Sequence, residues 1–521
     1  MAQRPSTPAN FSVRRTLKLG SFHIGSAFTD ILVSGVWNRI LISNLGVSAT
    51  PVAFLAALRY FIAPLTIWIG HRSDNNTLFG YYRLSYVYLG RLLTWLSLPL
   101  LPLVIVELAR DQSSLLGWGL ALIIFLLYGL GTLISGAPFL ALVRESAPPA
   151  KQGLAIVMVQ SVLLFGFASV PISYSILMKE YTPAGFWRLV TVAMAGAALT
   201  WFFSVWGEER ARHGDAQKVP ESRLVREDGD MENVPQSRLV SEDGDMENVP
   251  QSLLASEDGD MENVPQSRLA SEGGDMENVP QSRLASGRGE AATAPDFVGM
   301  IGQILAQPNT RTFFFLLSFG AIALFGQDAI LEPFGGDLFG LDVGTTTRFN
   351  AYYGTGVLLA MIIGSILTRR WLPQEYTGFT ALGLLGMVAT LGMLVVAALA
   401  HMEALLVPAL FAFGMASGVY TVGGLNLMIA MTDDEHAGTY LGLWSMAQLV
   451  FRGVGISLGG LVLDVGSALS GWPAFGYASV FAMEILAALI ALILLMRVRR
   501  LGYLYRPQQP TEPEIIFAAA D

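Results

Sequence analysis

The sequence predicts an all-α polytopic membrane protein with twelve transmembrane helices arranged in two six-helix bundles. The 521 residues are 53% hydrophobic and only 14% charged, with a mean hydropathy of +0.50, whereas about a quarter of the residues of a soluble domain are charged. Apolar runs of about 20 residues, long enough to cross a bilayer core, recur along the chain. The runs lack the alternation of a membrane β-barrel, so helices must satisfy the backbone hydrogen bonds.

Twelve apolar runs fall into two groups of six. The first group covers residues 17–41, 51–69, 84–106, 116–143, 153–177 and 186–206. The second group covers residues 312–333, 349–367, 378–399, 404–430, 438–463 and 477–495. The predicted organisation is an N-terminal tail at 1–16, a first bundle at 17–206, a linker at 207–300, a second bundle at 301–500 and a C-terminal tail at 501–521.

The positive charges that flank the predicted helices are concentrated on one side of the membrane. That side carries Arg14, Arg15 and Lys18 around the start of the first run, and Arg497 and Arg499 after the last one. Lys and Arg residues near helix ends mark the cytoplasmic side. We therefore expect both termini in the cytoplasm.

The predicted linker repeats a 15-residue unit. The copies begin at Val219, Val234, Val249, Val264 and Val279, and the last copy is incomplete. The four complete copies together carry a net charge of −12, whereas the whole chain carries −9. Polar low-complexity sequence buries too little apolar surface to fold alone. We expect a disordered acidic cytoplasmic linker, with a docking tail as the open alternative.

A short motif, GHRSD, follows the second apolar run. It contains Gly70, His71 and Asp74, and the basic residue Arg83 lies a few positions further on. Two repeated halves of six helices, a long linker and this motif together resemble the major facilitator superfamily. The resemblance implies a cytoplasmic loop in which Asp74 and a basic partner form a latch. A solvated turn is the alternative interpretation.

Three longer stretches carry a narrower resemblance. They are GVWNRILISNLGVSATPVAFLAALRYFIAPLTIWIGHRSDN at 35–75, GQDAILEPFGGDLFGLDVG at 326–344 and AGTYLGLWSMAQLVFRGVGISLGGLVLD at 437–464. These stretches resemble the PucC/LhaA family, the bacteriochlorophyll-delivery branch of the superfamily. The resemblance implies a light-harvesting complex assembly factor in the inner (photosynthetic) membrane of a phototrophic bacterium. It also implies bacteriochlorophyll or chlorophyll as cargo, and light-harvesting antenna polypeptides or the reaction-centre core complex as partners.

Ionisable side chains inside the predicted spans are costly in hydrocarbon, so they should face the bundle interior and pair. The residues concerned are Asp30, Arg39, Arg59, Arg91, Asp328, Glu332, Arg452 and Glu484, with Asn38 and Gln327 as polar neighbours. At 1.5 Å per residue, Asp328 lies level with Arg452, and Asp30 lies level with Arg59. The sequence thus predicts two ion pairs, while a proton relay or a substrate contact stays open as their role.

The stretch GQDAILEPFGGD contains two of these acids four residues apart. On one continuous helix, Asp328 and Glu332 would share a face and repel each other. We assign the deeper Asp328 to the arginine. Glu332 lies beside Pro333 and nearer the outer face, so we expect it to be the wetter and more functional acid.

A bacteriochlorophyll molecule needs an axial donor for its magnesium, and neutral imidazole is the usual one. His23 is the histidine that lies within a predicted helix, and it is the candidate pigment ligand. An interfacial histidine hydrogen-bonded to a neighbour is the alternative, and Gln160, Gln327 and Gln448 are other possible donors. The pigment has two possible positions, a central cavity or the lipid boundary.

The sequence contains no phosphate loop, nucleotide fingerprint or Ser/His/Asp set. We therefore expect no enzyme activity, no nucleic-acid binding and no protein metal site. Two function classes stay open. The first is a pigment-binding assembly factor, and the alternative is a secondary transporter of a small solute, with or without proton coupling.

Overall fold

The computed structural model describes residues 11–75, 81, 83–208, 308–368, 371, 375–431 and 437–500. Nearly all of the predicted linker lies outside the described residues, as do the predicted C-terminal tail and most of the N-terminal one. The repeats and their proposed docking role therefore stay predictions from sequence. The described part is an integral membrane protein built from helices.

The first bundle begins with helices that are interrupted and continues with longer ones. The α-helices are α1 (Val13–Asp30), α2 (Trp37–Arg39), α3 (Ala49–Phe61), α4 (Leu65–Asn75), α5 (Leu84–Ser97), α6 (Leu101–Arg110), α7 (Leu115–Glu145), α8 (Gln152–Leu177) and α9 (Pro183–Val205). Hydroxyl caps define three of the starts: Ser12 accepts from the Arg15 N–H, Ser114 from the Gly117 N–H, and Thr182 from the Gly185 N–H. Such caps satisfy backbone donors that have no partner within the helix.

The second bundle follows the same plan. Its helices are α10 (Pro308–Phe325), α11 (Leu331–Phe339), α12 (Val343–Leu367), α13 (Glu375–Ala400), α14 (Leu406–Ala430), α15 (Ala437–Ser470) and α16 (Pro473–Arg500). Gly340 ends α11 in the left-handed conformation, with φ at 64°, which costs glycine little. The Asp342 carboxylate then caps α12 by accepting from the Thr345 N–H.

The number of continuous spans differs from the prediction. Among the described residues, nine helical stretches are long and apolar enough to cross a membrane. The predicted runs at 17–41, 51–69 and 312–333 instead fall on segments that change helix type or break. The count of twelve unbroken spans is therefore not confirmed. These three runs hold most of the predicted polar network, which lowers their hydropathy.

Each interruption has a local cause or signature. The chain leaves α1 through π-helical turns at Ile31–Val36 and Ile40–Asn44, and π turns are frequent at functional sites. α3 ends shortly before Pro64, whose ring removes a backbone donor and crowds the preceding turn. α10 ends at Phe325, and a turn at 326–330 leads into α11.

Two pairs of helices join the bundles. α3 packs along α15, and a Cβ atom added at Gly460 would stand only 2.5 Å from the Ala53 Cβ. α8 packs along α12, where the Gly344 N–H donates to the Lys179 carbonyl oxygen at 2.8 Å. The second and the eleventh of the twelve apolar runs therefore meet between the two halves. These four helices and others of both bundles line a central cavity.

Candidate functional site

The central cavity has a volume of about 640 Å³ and is lined by both bundles, within the range of about 300–1,000 Å³ that ligand sites occupy. Its polar lining residues include His23, Ser26, Asp30, Arg59, Tyr60, Arg91, Gln160, Gln327, Asp328, Asn350 and Arg452. Its apolar lining residues include Leu163, Leu164, Phe167, Phe325, Met361 and Leu449. A cavity of this kind suits an amphipathic molecule with a large apolar body and a small polar region.

The predicted ion pair in the first bundle is present. Arg59 Nη1 donates to Asp30 Oδ1 at 2.5 Å. The Tyr128 hydroxyl donates to the same carboxylate oxygen. A carboxylate with two donors, one of them charged, is well compensated for its removal from water.

The predicted ion pair in the second bundle is also present. Arg452 Nη2 donates to Asp328 Oδ2 at 2.8 Å. The Arg452 guanidinium carbon lies 3.8 Å from the Phe325 ring centroid and 4.8 Å from that of Tyr60. Tyr60 also accepts a hydrogen bond from Arg59 Nη2 at 2.7 Å. One tyrosine therefore links the two pairs across the interface.

The prediction that Glu332 is the wetter acid is wrong, and its functional role stays a prediction. Asp328 lies in the turn between α10 and α11, so it does not share one continuous helix with Glu332. Glu332 is only 2% exposed, and it accepts from Asn350 Nδ2 at 2.7 Å and Thr347 Oγ1 at 3.1 Å. The turn directs α11 against α12, which buries this acid instead of bringing it to water.

A second buried acid supports the same turn. Glu484, which is fully buried, accepts from the Gln327 N–H through Oε1 at 2.6 Å. Its contact satisfies a backbone donor that the helix break frees. Gln327 thus takes part in the polar network through its backbone N–H. Its side-chain Nε2 also donates, to the Leu324 carbonyl oxygen at 3.2 Å. Sequence reasoning counted Glu484 among the intramembrane acids but gave it no role.

Arg39 and Asn38 connect the first bundle to the second at one end of the molecule. This end lies away from the N-terminus of α1, and we call it the far end. Arg39 Nη2 donates to the Leu341 carbonyl oxygen at 3.1 Å. Its guanidinium lies over Gly336, where an added Cβ would stand 2.0 Å away. Asn38 Nδ2 donates to the Ser34 carbonyl at 2.7 Å, and the Ala329 carbonyl in the other bundle lies 3.5 Å away. Both residues are structural contacts and lie outside the cavity lining.

Asp464 provides a further tie at the far end. It belongs to α15, yet its carboxylate accepts from the Ala49 N–H at 3.0 Å and the Thr50 N–H at 2.7 Å. These are the first backbone donors of α3, in the other bundle. A carboxylate at a helix N-terminus is favourable because it pairs free donors and interacts with the helix dipole. Sequence analysis did not assign Asp464 a role.

The GHRSD motif lies near the opposite end of the first bundle. α4 includes Gly70 and continues to Asn75, so the beginning of the predicted loop is helical. The side chains of His71 and Asp74 lie outside the described residues, and the latch stays a prediction. Arg83 Nη2 donates to Glu145 Oε1 at 2.5 Å.

His23 lines the cavity on α1. Its ring meets the Phe139 ring edge to face, with 5.3 Å between centroids. Nε2 is buried and has no hydrogen-bond partner among the described residues. The alternative of a hydrogen-bonded histidine therefore has no support at this nitrogen.

Arg91 is the residue of the cavity that sequence reasoning left without a role. It lies on α5 and is 8% exposed. Its guanidinium carbon stands 4.2 Å from the Phe22 ring centroid and 4.9 Å from that of Trp201. The sequence shows an arginine within an apolar run, but only the tertiary structure shows that aromatic rings surround it.

Comparisons with known proteins agree with the resemblance. A family model described as PUCC protein matches residues 36–240 and 276–502. The chain is 24% identical to an uncharacterised Rhodobacter capsulatus protein of the puhA-bchM intergenic region, over 98% of this chain and 94% of that protein. It is also 24% identical to the bacteriochlorophyll synthase 44.5 kDa chain of Rhodobacter capsulatus, over 86% and 87% of the two chains. Protein PucC of Cereibacter sphaeroides is 24% identical, over 91% and 89%.

Solved structures of membrane transporters share the fold. An inward-facing bacterial homologue of the lysosomal transporter spinster superposes with a TM-score of 0.61 at 13% identity, over 96% of this chain and 100% of that one. A bacterial homologue of ferroportin gives a TM-score of 0.59 at 13% identity, over 94% and 100%. At such identities the likeness shows the fold alone, which is that of the major facilitator superfamily.

Proposed function

This chain belongs to the PUCC protein family, and on that premise we propose that it assists the assembly of light-harvesting complexes by binding bacteriochlorophyll in its central cavity. The proposed location is the inner photosynthetic membrane, with both termini in the cytoplasm. The proposed partners are antenna polypeptides or the reaction-centre core complex. The proposed role is delivery of a pigment without catalysis.

The observation that carries this proposal is the buried, unpartnered Nε2 of His23 on the cavity wall. A neutral imidazole nitrogen with no competing hydrogen bond is a suitable axial donor for a metal ion, here the magnesium of the cargo. The Phe139 ring beside it restricts the imidazole orientation. Apolar side chains of both bundles provide surface for a macrocycle.

Absorption spectroscopy of the full chain purified from a phototrophic host tests the proposal. We expect a near-infrared pigment band at about one pigment per protein. His23→Ala should reduce the bound pigment or shift its band, because the axial donor is lost. His401→Ala is the matched control, since His401 lies at an exposed turn away from the cavity. Its spectrum should equal that of the wild type.

The transporter alternative predicts a different result. Colourless protein that exchanges a small solute in vesicles would contradict pigment binding and support transport. Deletion of the gene in the host provides a second criterion. The proposal predicts loss of assembled antenna with pigment synthesis intact, and unaffected antenna would contradict it.

A further inference from the structure

Arg91 is a buried cation inside the membrane-spanning part of the first bundle. It is 8% exposed, and its guanidinium lies over the rings of Phe22 and Trp201. Aromatic faces attract a guanidinium, but they satisfy few of its five N–H donors. Its polar end remains available towards the cavity that Arg91 lines.

Among the described residues, Arg91 has neither a hydrogen-bond acceptor nor a carboxylate at ion-pair distance, and its Nε is buried without a partner. The other intramembrane arginines differ from it. Arg59 and Arg452 each donate to an aspartate, and Arg39 donates to a carbonyl and an amide oxygen. An uncompensated buried charge is expensive, and such groups inside membranes usually serve binding.

The charges of the cavity do not balance. Of the described residues that line it, three are arginines and two are carboxylates, and each carboxylate already has its own arginine. The Asp30 carboxylate also accepts from Tyr128, so the nearest acid of the first bundle is occupied. One positive charge, that of Arg91, is left in excess. A ligand with a single negative group would neutralise it.

We propose that Arg91 is the anion-recognition residue of the cavity, and that the ligand is an amphipathic molecule with one carboxylate or phosphate group. The planar guanidinium matches the two oxygens of such a group. The apolar body of the ligand lies along Leu163, Leu164, Phe167 and Phe325. This inference concerns the charge of the ligand, and it holds for a pigment or for a lipid.

If it is combined with the proposed function, the favoured form of the cargo is bacteriochlorophyllide, which has the bacteriochlorophyll macrocycle but keeps its propionic acid free, because esterified bacteriochlorophyll carries no negative group for Arg91. Esterification of that acid removes the charge and leaves the macrocycle unchanged. The two forms therefore make a matched pair of ligands. An anionic lipid headgroup is the second source of the same chemistry, and its phosphate needs a separate measurement.

Binding assays on the full chain in detergent distinguish these cases. The probes are bacteriochlorophyllide a and its methyl ester. Wild-type protein should bind the free acid about 10- to 100-fold more tightly than the ester, as expected for a charge-assisted hydrogen bond. Arg91→Met should abolish this preference by weakening binding of the free acid, and Arg91→Lys should retain part of it. Arg110→Met, at an exposed arginine of the far end, should behave as the wild type.

A lipid assay separates failure of this inference from failure of the proposed function. Nanodiscs of phosphatidylglycerol are compared with nanodiscs of the net-neutral phosphatidylcholine, and co-purified lipid is measured. One outcome is that neither pigment form binds, while the wild type retains phosphatidylglycerol and Arg91→Met does not. This outcome would support the anion site and contradict pigment binding. If neither matched pair shows a preference that depends on Arg91, the anion site is refuted.

Discussion

The arginines of the cavity divide into two kinds, and their comparison separates what holds the protein together from what is available for a ligand. Arg59 and Arg452 each donate to an aspartate of their own bundle, and Tyr60 lies between them. Arg91 is more buried than either of them, yet its guanidinium lies against the faces of aromatic rings and has no carboxylate at ion-pair distance among the described residues. Burial of an arginine therefore has two different meanings in this cavity. The paired arginines stabilise the fold, whereas the Arg91 guanidinium keeps N–H donors that are available to a ligand.

The largest effect that this comparison predicts is at the paired arginines. Asp328→Ala leaves Arg452 buried without its carboxylate and should lower the free energy of unfolding by about 3–5 kcal/mol. Chemical denaturation in detergent measures this change. The double variant Asp328→Leu/Arg452→Met removes both charges and should recover much of the loss. A double variant as unstable as the sum of the two single ones would show that the residues are not partners.

Glu332 should give an intermediate effect. Glu332→Leu removes an acceptor from Thr347 and Asn350, two buried or half-buried donors of α12. We expect a loss of about 1–3 kcal/mol in the free energy of unfolding. Glu332→Gln keeps one acceptor oxygen and should lose less. Equal stability of both variants and the wild type would show that α11 does not depend on this contact.

The far-end cap should give a smaller effect. Asp464→Ala removes the acceptor for the first backbone donors of α3, and loss of a helix cap costs about 0.5–2 kcal/mol. Because the cap joins two bundles, labelling of a cysteine introduced at the far end should also increase, since the chain has no cysteine of its own. Asp111→Ala is a suitable control, since Asp111 caps only its own exposed loop. Unchanged labelling in Asp464→Ala would show that this cap does not hold the two bundles together at the far end.

The smallest effect on stability is expected at Arg91. Arg91→Met loses two aromatic contacts but also removes a charge that has no protein partner, so the two contributions should cancel to within about 1 kcal/mol. The thermal unfolding midpoint of ligand-free protein provides the measurement. A loss as large as that of Asp328→Ala would mean that Arg91 is a structural residue, and the comparison would fail.

Much of the fold and part of the site could be predicted from the sequence. The apolar runs and the rise of 1.5 Å per residue place Asp30 level with Arg59 and Asp328 level with Arg452, and both pairs form. These predictions succeed because hydrocarbon leaves a buried charge few alternatives. Depth along a helix is a local property, so a sequence contains it.

The rest depends on contacts that a sequence does not contain. The turn at 326–330 breaks the predicted seventh helix, and Glu484 of a distant helix supports it by accepting from Gln327. This break rotates Glu332 into the protein, contrary to the prediction. The surroundings of Arg91 likewise depend on the side chains that α1 and α9 place beside it, Phe22 and Trp201.

The central claim is that the cavity between the bundles, and not the lipid boundary, holds the pigment. Pigment stoichiometry of two tryptophan variants on α8 tests it most directly. Gln160 lines the cavity, whereas Val157 is 61% exposed on the outer surface. We predict that Gln160→Trp loses the bound pigment and that Val157→Trp keeps about one per protein. Full pigment in Gln160→Trp together with loss in Val157→Trp would contradict the account and place the pigment at the lipid boundary.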